Sequence, residues 1–122
     1  FSNEPESFKS SVGFYLTKGT YTGKHGYSLK LQGFEAGFND KAEERAIVMH
    51  SADYVSEVLV KQQGYIGRSL GCPALAPEIY KQVIDKIQNR TCLFMYGNEN
   101  NYISNSKMLK QEIKLNKGSF RF

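Results

Sequence analysis

A mainly β domain with two short helices is what this sequence predicts, on three observations. Tyr27-Ser28-Leu29-Lys30-Leu31-Gln32 alternates apolar with polar residues, the period-two signature of a half-buried strand. Two short continuous apolar runs, Ala46–Met49 and Cys92–Tyr96, have the length and composition of strands. Only two segments, around Val55–Leu59 and Ile79–Ile87, repeat apolar residues at helical spacing. At 122 residues the chain is long enough for one modest core and not for two.

The elements follow in order. The first ten residues, through Glu4-Pro5-Glu6-Ser7, are polar and read as loop. Val12-Gly13-Phe14-Tyr15-Leu16-Thr17 has strand composition, with Gly19 and Gly23 as punctuation after it. The 27–32 strand comes next, then a glycine-containing connection from Gly33 to Asp40. Ala46-Ile47-Val48-Met49 reads as a central strand that delivers His50 at its end. Asp53 is the expected cap of a first helix whose Val55, Val58 and Leu59 share a face, with Gly64 just past its end. A second helix opens with Pro77 in its first turn, carries Ile79, Val83, Ile84 and Ile87 on one stripe and stops near Asn89. Thr91–Tyr96 reads as a buried strand holding Cys92, and Gly97–Asn105 is a polar, Asn-rich stretch. Asn89-Arg90-Thr91 matches a glycosylation acceptor but is better explained as a helix end running into a strand.

Composition excludes several classes. Hydrophobic residues at 40% and aromatics at 13% fit a packed domain rather than a disordered chain. No apolar run approaches the roughly 20 residues of a membrane span, so a soluble segment is expected. No signal peptide is visible, although Phe1 is not a natural start. The net charge of +4 is spread thinly, which argues against nucleic acid. The basic cluster Lys107, Lys110, Lys114, Lys117 and Arg121, against Glu112 alone, reads as a solvated tail, with contact to an anionic envelope polymer or membrane surface as the alternative.

Two cysteines make no disulfide framework. Cys92 lies in an apolar run and reads as inert filling; a Cys72–Cys92 bridge stays open. Cys72 sits in Gly67-Arg68-Ser69-Leu70-Gly71-Cys72-Pro73-Ala74-Leu75, too rich in Gly and Pro for regular structure. A cysteine in such a turn, with His50-Ser51 upstream, is the minimum equipment for covalent acyl transfer. A bare cysteine beside glycine is more often structural; the two motifs together reverse that reading. A Cys72–His50–His25 metal site is a weak alternative, because the spacing is mixed and no second cysteine pair exists. No cofactor is expected.

Arg45–Val55 with Gly67–Leu75 closely resembles the murein L,D-transpeptidase catalytic domain, nearest to the branch of Bacteroidetes-type envelopes. Ser11–Tyr15 and Gly23–Leu29 are similar to it too, so the likeness runs over most of residues 1–96. The resemblance implies a β-sandwich-like scaffold, no metal, and acyl transfer on peptidoglycan stem peptides through a thioester, giving 3→3 cross-links. Cys72 would be the nucleophile and His50 the base. Ser51 would orient the imidazole through its carbonyl, and Gly71 and Cys72 would offer amides to the oxyanion. Arg68, Ser69, His25 and Tyr27 are the expected substrate-binding residues, although His25 reads more readily as a satisfied turn histidine, Arg68 also as a loop salt bridge, and Tyr21, Tyr27 and Tyr54 as core and rim. An envelope location, periplasmic or exported, a monomeric state and acylation by carbapenem-type inhibitors follow from the same likeness.

The chain departs from the wider family at Leu70, where many members have histidine, and at Ala74, where many have Arg or Asn. Its His50–Cys72 interval is also slightly wide. Arg68 is expected to take over part of the missing polar work, by lowering the thiol pKa or holding a substrate carboxylate. Family members begin with strands upstream of position 1, so a truncated N-terminus is expected. Three alternatives stay open: an L,D-carboxypeptidase using the same site, a peptidoglycan-binding pseudoenzyme, and a sortase-like transpeptidase using Cys92, for which Thr91-Cys92 is the sole support.

Overall fold

The computed structural model describes residues 1–111. Of the basic tail this includes Lys107 and Lys110; Glu112, Lys114, Lys117 and Arg121 lie outside the described residues. Five strands, β1 (Gly13–Gly23), β2 (Gly26–Gly33), β3 (Val48–Ser51), β4 (Ala74–Leu75) and β5 (Cys92–Met95), form one curled sheet in the order β4-β3-β2-β1-β5. All neighbours are antiparallel except β3 and β4, which run parallel. Three short helices join them: α1 (Glu57–Gln63), α2 (Tyr80–Ile87) and α3 (Asn100–Asn105). The fold is mostly β, as expected, and α1 and α2 flank the cysteine loop.

Strand β1 is longer than its composition suggested. It passes through Gly19 to Gly23, with a shift of register against β2 between Thr17 and Thr20. Glycine inside a strand often marks such a bulge, where the ladder is broken and the strand bends. Beyond the bulge the β1–β2 hairpin closes on a two-residue turn, Lys24-His25, between the paired Gly23 and Gly26.

One face of the sheet buries Tyr15, Leu29, Leu31 and Met49 with Ala42 and Ile47 from the β2–β3 connection. Helix α2 covers that face through fully buried Ile84, with Tyr80 and Ile87 packed at its margin. Tyr27 belongs to this packing, and its hydroxyl donates to Asp85 on α2 at 2.5 Å.

Several expectations need correction. Helix α1 is capped by Ser56, whose side chain accepts from the Val58 amide, and not by Asp53. None of its residues is fully buried: Val58 is 60% exposed, while Val55 and Leu59 of the expected stripe are half-buried. The Asn-rich stretch forms α3, which docks through buried Tyr102. Cys92 is on a strand but exposed, because β5 is an edge strand whose Cys92 and Phe94 face outward. At the α2–β5 joint Asn89 and Arg90 both have positive φ, and their amides donate to Lys18 and Thr17 carbonyls. That tight turn is the helix-to-strand junction expected there.

Glu35 was unremarked in the sequence, yet it organises one end of the sheet. Its buried carboxylate accepts from the Phe14 amide at 2.9 Å, the Tyr102 hydroxyl at 2.8 Å and the Ser106 hydroxyl. Asn39 completes the knot: its Oδ1 accepts from the Glu35 amide at 2.8 Å and its Nδ2 donates to the Phe14 carbonyl at 2.9 Å. The buried carboxyl oxygens are thus satisfied by neutral donors, as buried polar atoms require, and Glu35 takes part in neither ion pair among the described residues.

Candidate active site

His50 is the third residue of β3, 4% exposed, with its ring at the floor of an open cleft of about 830 Å³. Its Nδ1 lies 2.7 Å from the Ser51 carbonyl oxygen. A carbonyl only accepts, so Nδ1 carries a proton, and in the neutral ring Nε2 is then the nitrogen with the lone pair. The imidazole is thereby set in the tautomer that accepts a proton. The partner is the Ser51 backbone and not its hydroxyl.

The parallel β3–β4 pairing brings Cys72 to this histidine. His50 is in register with Ala74, and the His50 amide donates to the Pro73 carbonyl at 3.1 Å. Cys72, two residues before Ala74, therefore lies at the strand's entrance and lines the same cleft. Its half-buried thiol hydrogen-bonds to the Ala46 carbonyl, with Sγ to oxygen 3.6 Å. Ala46 has φ +55, a conformation that non-glycine residues seldom adopt.

The turn before Cys72 is held from two sides. Ser69 Oγ donates to the Cys72 carbonyl at 2.6 Å and accepts from the Gly71 amide at 3.2 Å. Gly71 has φ +108, and a Cβ there would stand 2.8 Å from the Lys9 carbonyl oxygen. Ser10 Oγ donates to the Gly71 carbonyl at 2.8 Å, so the N-terminal segment is the turn's wall. Arg45 pins that wall by donating to the Ser2 and Lys9 carbonyls and the Ser7 and Ser11 hydroxyls. Among the described residues the Cys72 amide has no acceptor, whereas the Gly71 amide is engaged by Ser69.

A second, smaller cleft of about 370 Å³ also reaches Cys72, with Tyr54, Arg68 and Ser69 lining both. Arg68 is exposed and belongs to neither of the two ion pairs among the described residues. His25 comes down from the β1–β2 turn and lies flat on His50. Tyr27 does not join the cleft; its ring is in the packing against α2. Leu70, 71% exposed, stands on the cleft's rim. The contributions of Ala46 and Tyr21 to the lining were not read from the sequence, and no local signal marks them. Both cysteines are free, and among the described residues no group of three His, Cys, Asp or Glu is arranged to hold a metal ion.

On a curled and mostly β scaffold, a thiol in a glycine turn thus shares one cleft with an imidazole fixed through its Nδ1. The model of the L,D-transpeptidase catalytic domain matches residues 1–96, and the chain belongs to that family. The domain implies L,D-transpeptidase-type activity on peptidoglycan, within a group of transpeptidases and carboxypeptidases that is generally found at the cell wall or in the periplasm. No curated protein and no solved structure was found to match. Among the described residues no helix is long and apolar enough to cross a membrane.

Proposed function

We propose that this chain is a cysteine L,D-transpeptidase that forms 3→3 cross-links between peptidoglycan stems, with Cys72 as nucleophile and His50 as base. The observation that carries it is the Nδ1–Ser51 carbonyl bond, which leaves Nε2 as an acceptor in the cleft that Cys72 lines. The thiol proton leaves the Ala46 carbonyl for Nε2, and Sγ attacks the donor stem's carbonyl at its third, L-centred residue. The Cys72 amide, lacking another acceptor, stabilises the oxyanion; Gly71 contributes by holding the turn, and its amide joins only by releasing Ser69. The carbon–nitrogen bond to the terminal D-residue then breaks, His50 returns the proton to the leaving amine, and a thioester remains.

In the second half the side-chain amine of another stem attacks the thioester and gives up a proton to His50 Nε2, the carbon–sulfur bond breaks, and the departing thiolate takes that proton back to restore the resting thiol and imidazole. Cys72 is open to two clefts, which lets an acceptor approach by one while the acyl chain occupies the other. Water arriving by the same route gives L,D-carboxypeptidase activity. Lys24 and Arg68 give the cleft a cationic lining suited to stem carboxylates, with Arg68 the nearer to Cys72 in sequence. The protein would act as a monomer in the cell envelope, periplasmic or exported, and accept carbapenem-type inhibitors.

Intact-mass measurement after incubation with a tetrapeptide muropeptide, or with a carbapenem, tests this reading. A covalent adduct on Cys72 that vanishes in Cys72→Ala and persists in Cys92→Ala is the expected result. An adduct on Cys92, or none on either cysteine, would overturn it in favour of the sortase-like or non-catalytic reading.

A further inference from the structure

The His25 and His50 rings lie face to face, their centroids 4.4 Å apart and their planes within 12° of parallel. They come from separate elements, His25 from the two-residue turn of the β1–β2 hairpin and His50 from β3. The Ser51 carbonyl constrains His50 along one direction only, and an imidazole held by a single in-plane hydrogen bond can still swing about that bond. A flat ring on its face removes the remaining freedom.

We propose that His25 is a positioning residue for His50: stacked on the imidazole, it holds Nε2 in the cleft where the Cys72 thiol must deliver its proton. The inference rests on His50 being the base. It also assigns His25 a task different from contacting substrate through its own nitrogens.

The electrostatics favour the arrangement while His25 is neutral. A neutral aromatic face stabilises a cation placed on it, so a neutral His25 supports the imidazolium that forms when the thiol ionises. Two stacked imidazolium rings would instead repel. Partial burial, then the neighbouring His50 and Lys24, lower the pKa of His25 below its usual value. The charged groups of the same cleft are Lys24 on the hairpin, Arg45 on the β2–β3 connection, Arg68 on the cysteine loop and Asp53 after β3. Cys72, Tyr21 and Tyr54 are its other titratable members. Cations outnumber the single carboxylate, which disfavours a further positive charge on His25.

The test is the rate at which iodoacetamide alkylates Cys72, followed by peptide mass from pH 5 to 8. This small probe reports thiolate formation without needing stem-peptide contacts. In His25→Ala the rate at pH 7 is expected to fall about tenfold, a fraction of the 10²–10⁴ attributed to a general base. His25→Phe, which restores a flat neutral ring but no nitrogen, is expected to recover it to within about threefold, and His25→Gln is not. His25→Lys, which places a fixed charge beside the imidazole, is expected to move the acid limb of the profile to lower pH. Rescue by Gln and not Phe, or a wild-type rate in His25→Ala with its melting temperature unchanged, would overturn the proposal. His50→Ala is run in parallel: if it alkylates at the wild-type rate, the base reading itself fails, and the role of His25 with it. If only His50→Ala is slow, the stack alone is refuted.

Discussion

Replacing Gly71 by alanine attacks the catalytic turn where its geometry is most demanding. The φ of +108° lies outside the ordinary left-handed well, so any L side chain is strained there, at about 1–3 kcal/mol. The added Cβ would also stand 2.8 Å from the Lys9 carbonyl oxygen and 3.0 Å from its carbon. That backbone cannot retreat cheaply, since Arg45 grips the Lys9 carbonyl at 2.7 Å and Ser10 holds the Gly71 carbonyl at 2.8 Å. Adding a clash of about 1 kcal/mol brings the expected loss to about 2–4 kcal/mol, in the range of strained backbone substitutions. For a domain of this size that is a fall in melting temperature of roughly 8–16 °C. Thermal unfolding by circular dichroism gives the stability, and carbapenem acylation on the still-folded protein gives the chemistry. Acylation should fall more than the folded fraction does, because the turn carries both Sγ and the Cys72 amide. A variant melting within about 2 °C of wild type and acylating normally would refute the account of this turn.

Three further outcomes follow from the same structure. Cys92→Ser should change stability by less than about 0.5 kcal/mol in denaturant titration, since the side chain is exposed on an edge strand. Ser69→Ala removes both hydrogen bonds that brace the Gly71–Cys72 turn and should cost about 1–2 kcal/mol by the same titration, with slower acylation of Cys72. At alkaline pH, burial first, and for Tyr102 also the Glu35 carboxylate, push the phenols of Tyr15 and Tyr102 up to about 12. A raised folded-state pKa means that stability is fully present below the ordinary value of 10.0 and is lost as pH climbs from there to about 12. Tyr102→Phe should flatten that decline, as read by unfolding midpoints across the range.

Local pattern was enough to locate the strands that build the core. The alternation over Tyr27–Gln32 became β2 almost residue for residue, and the apolar run before His50 became the ladder that carries it. The motifs pointed to His50, Ser51 and Cys72, and it is the parallel β3–β4 pair, closing a segment that includes α1, that puts them on one cleft. What local pattern lacks is any account of the partner across the sheet. Cys92 sits in as apolar a run as Met49, but one strand is central and the other is an edge, and only pairing order decides that. The stripe on α1 had the right spacing but is only half covered, with Val58 left exposed. Asparagine-rich α3 had poor helical composition and was overridden by the docking of Tyr102. Likewise His25 and His50 are far apart in sequence, and the pairing of β3 with β2 is what brings the end of β3 near the hairpin turn.

The knot around Glu35 bears on where this domain ends. The family match stops at Tyr96, yet two of the three groups donating to the Glu35 carboxylate belong to Tyr102 and Ser106. A recombinant fragment cut at the edge of the match would strip the Glu35 carboxyl of two of those three donors and lose the Tyr102 ring that packs edge-on against Phe38. Such a fragment should be markedly less stable than the longer chain, and the fault would lie with the scissors rather than the catalytic machinery.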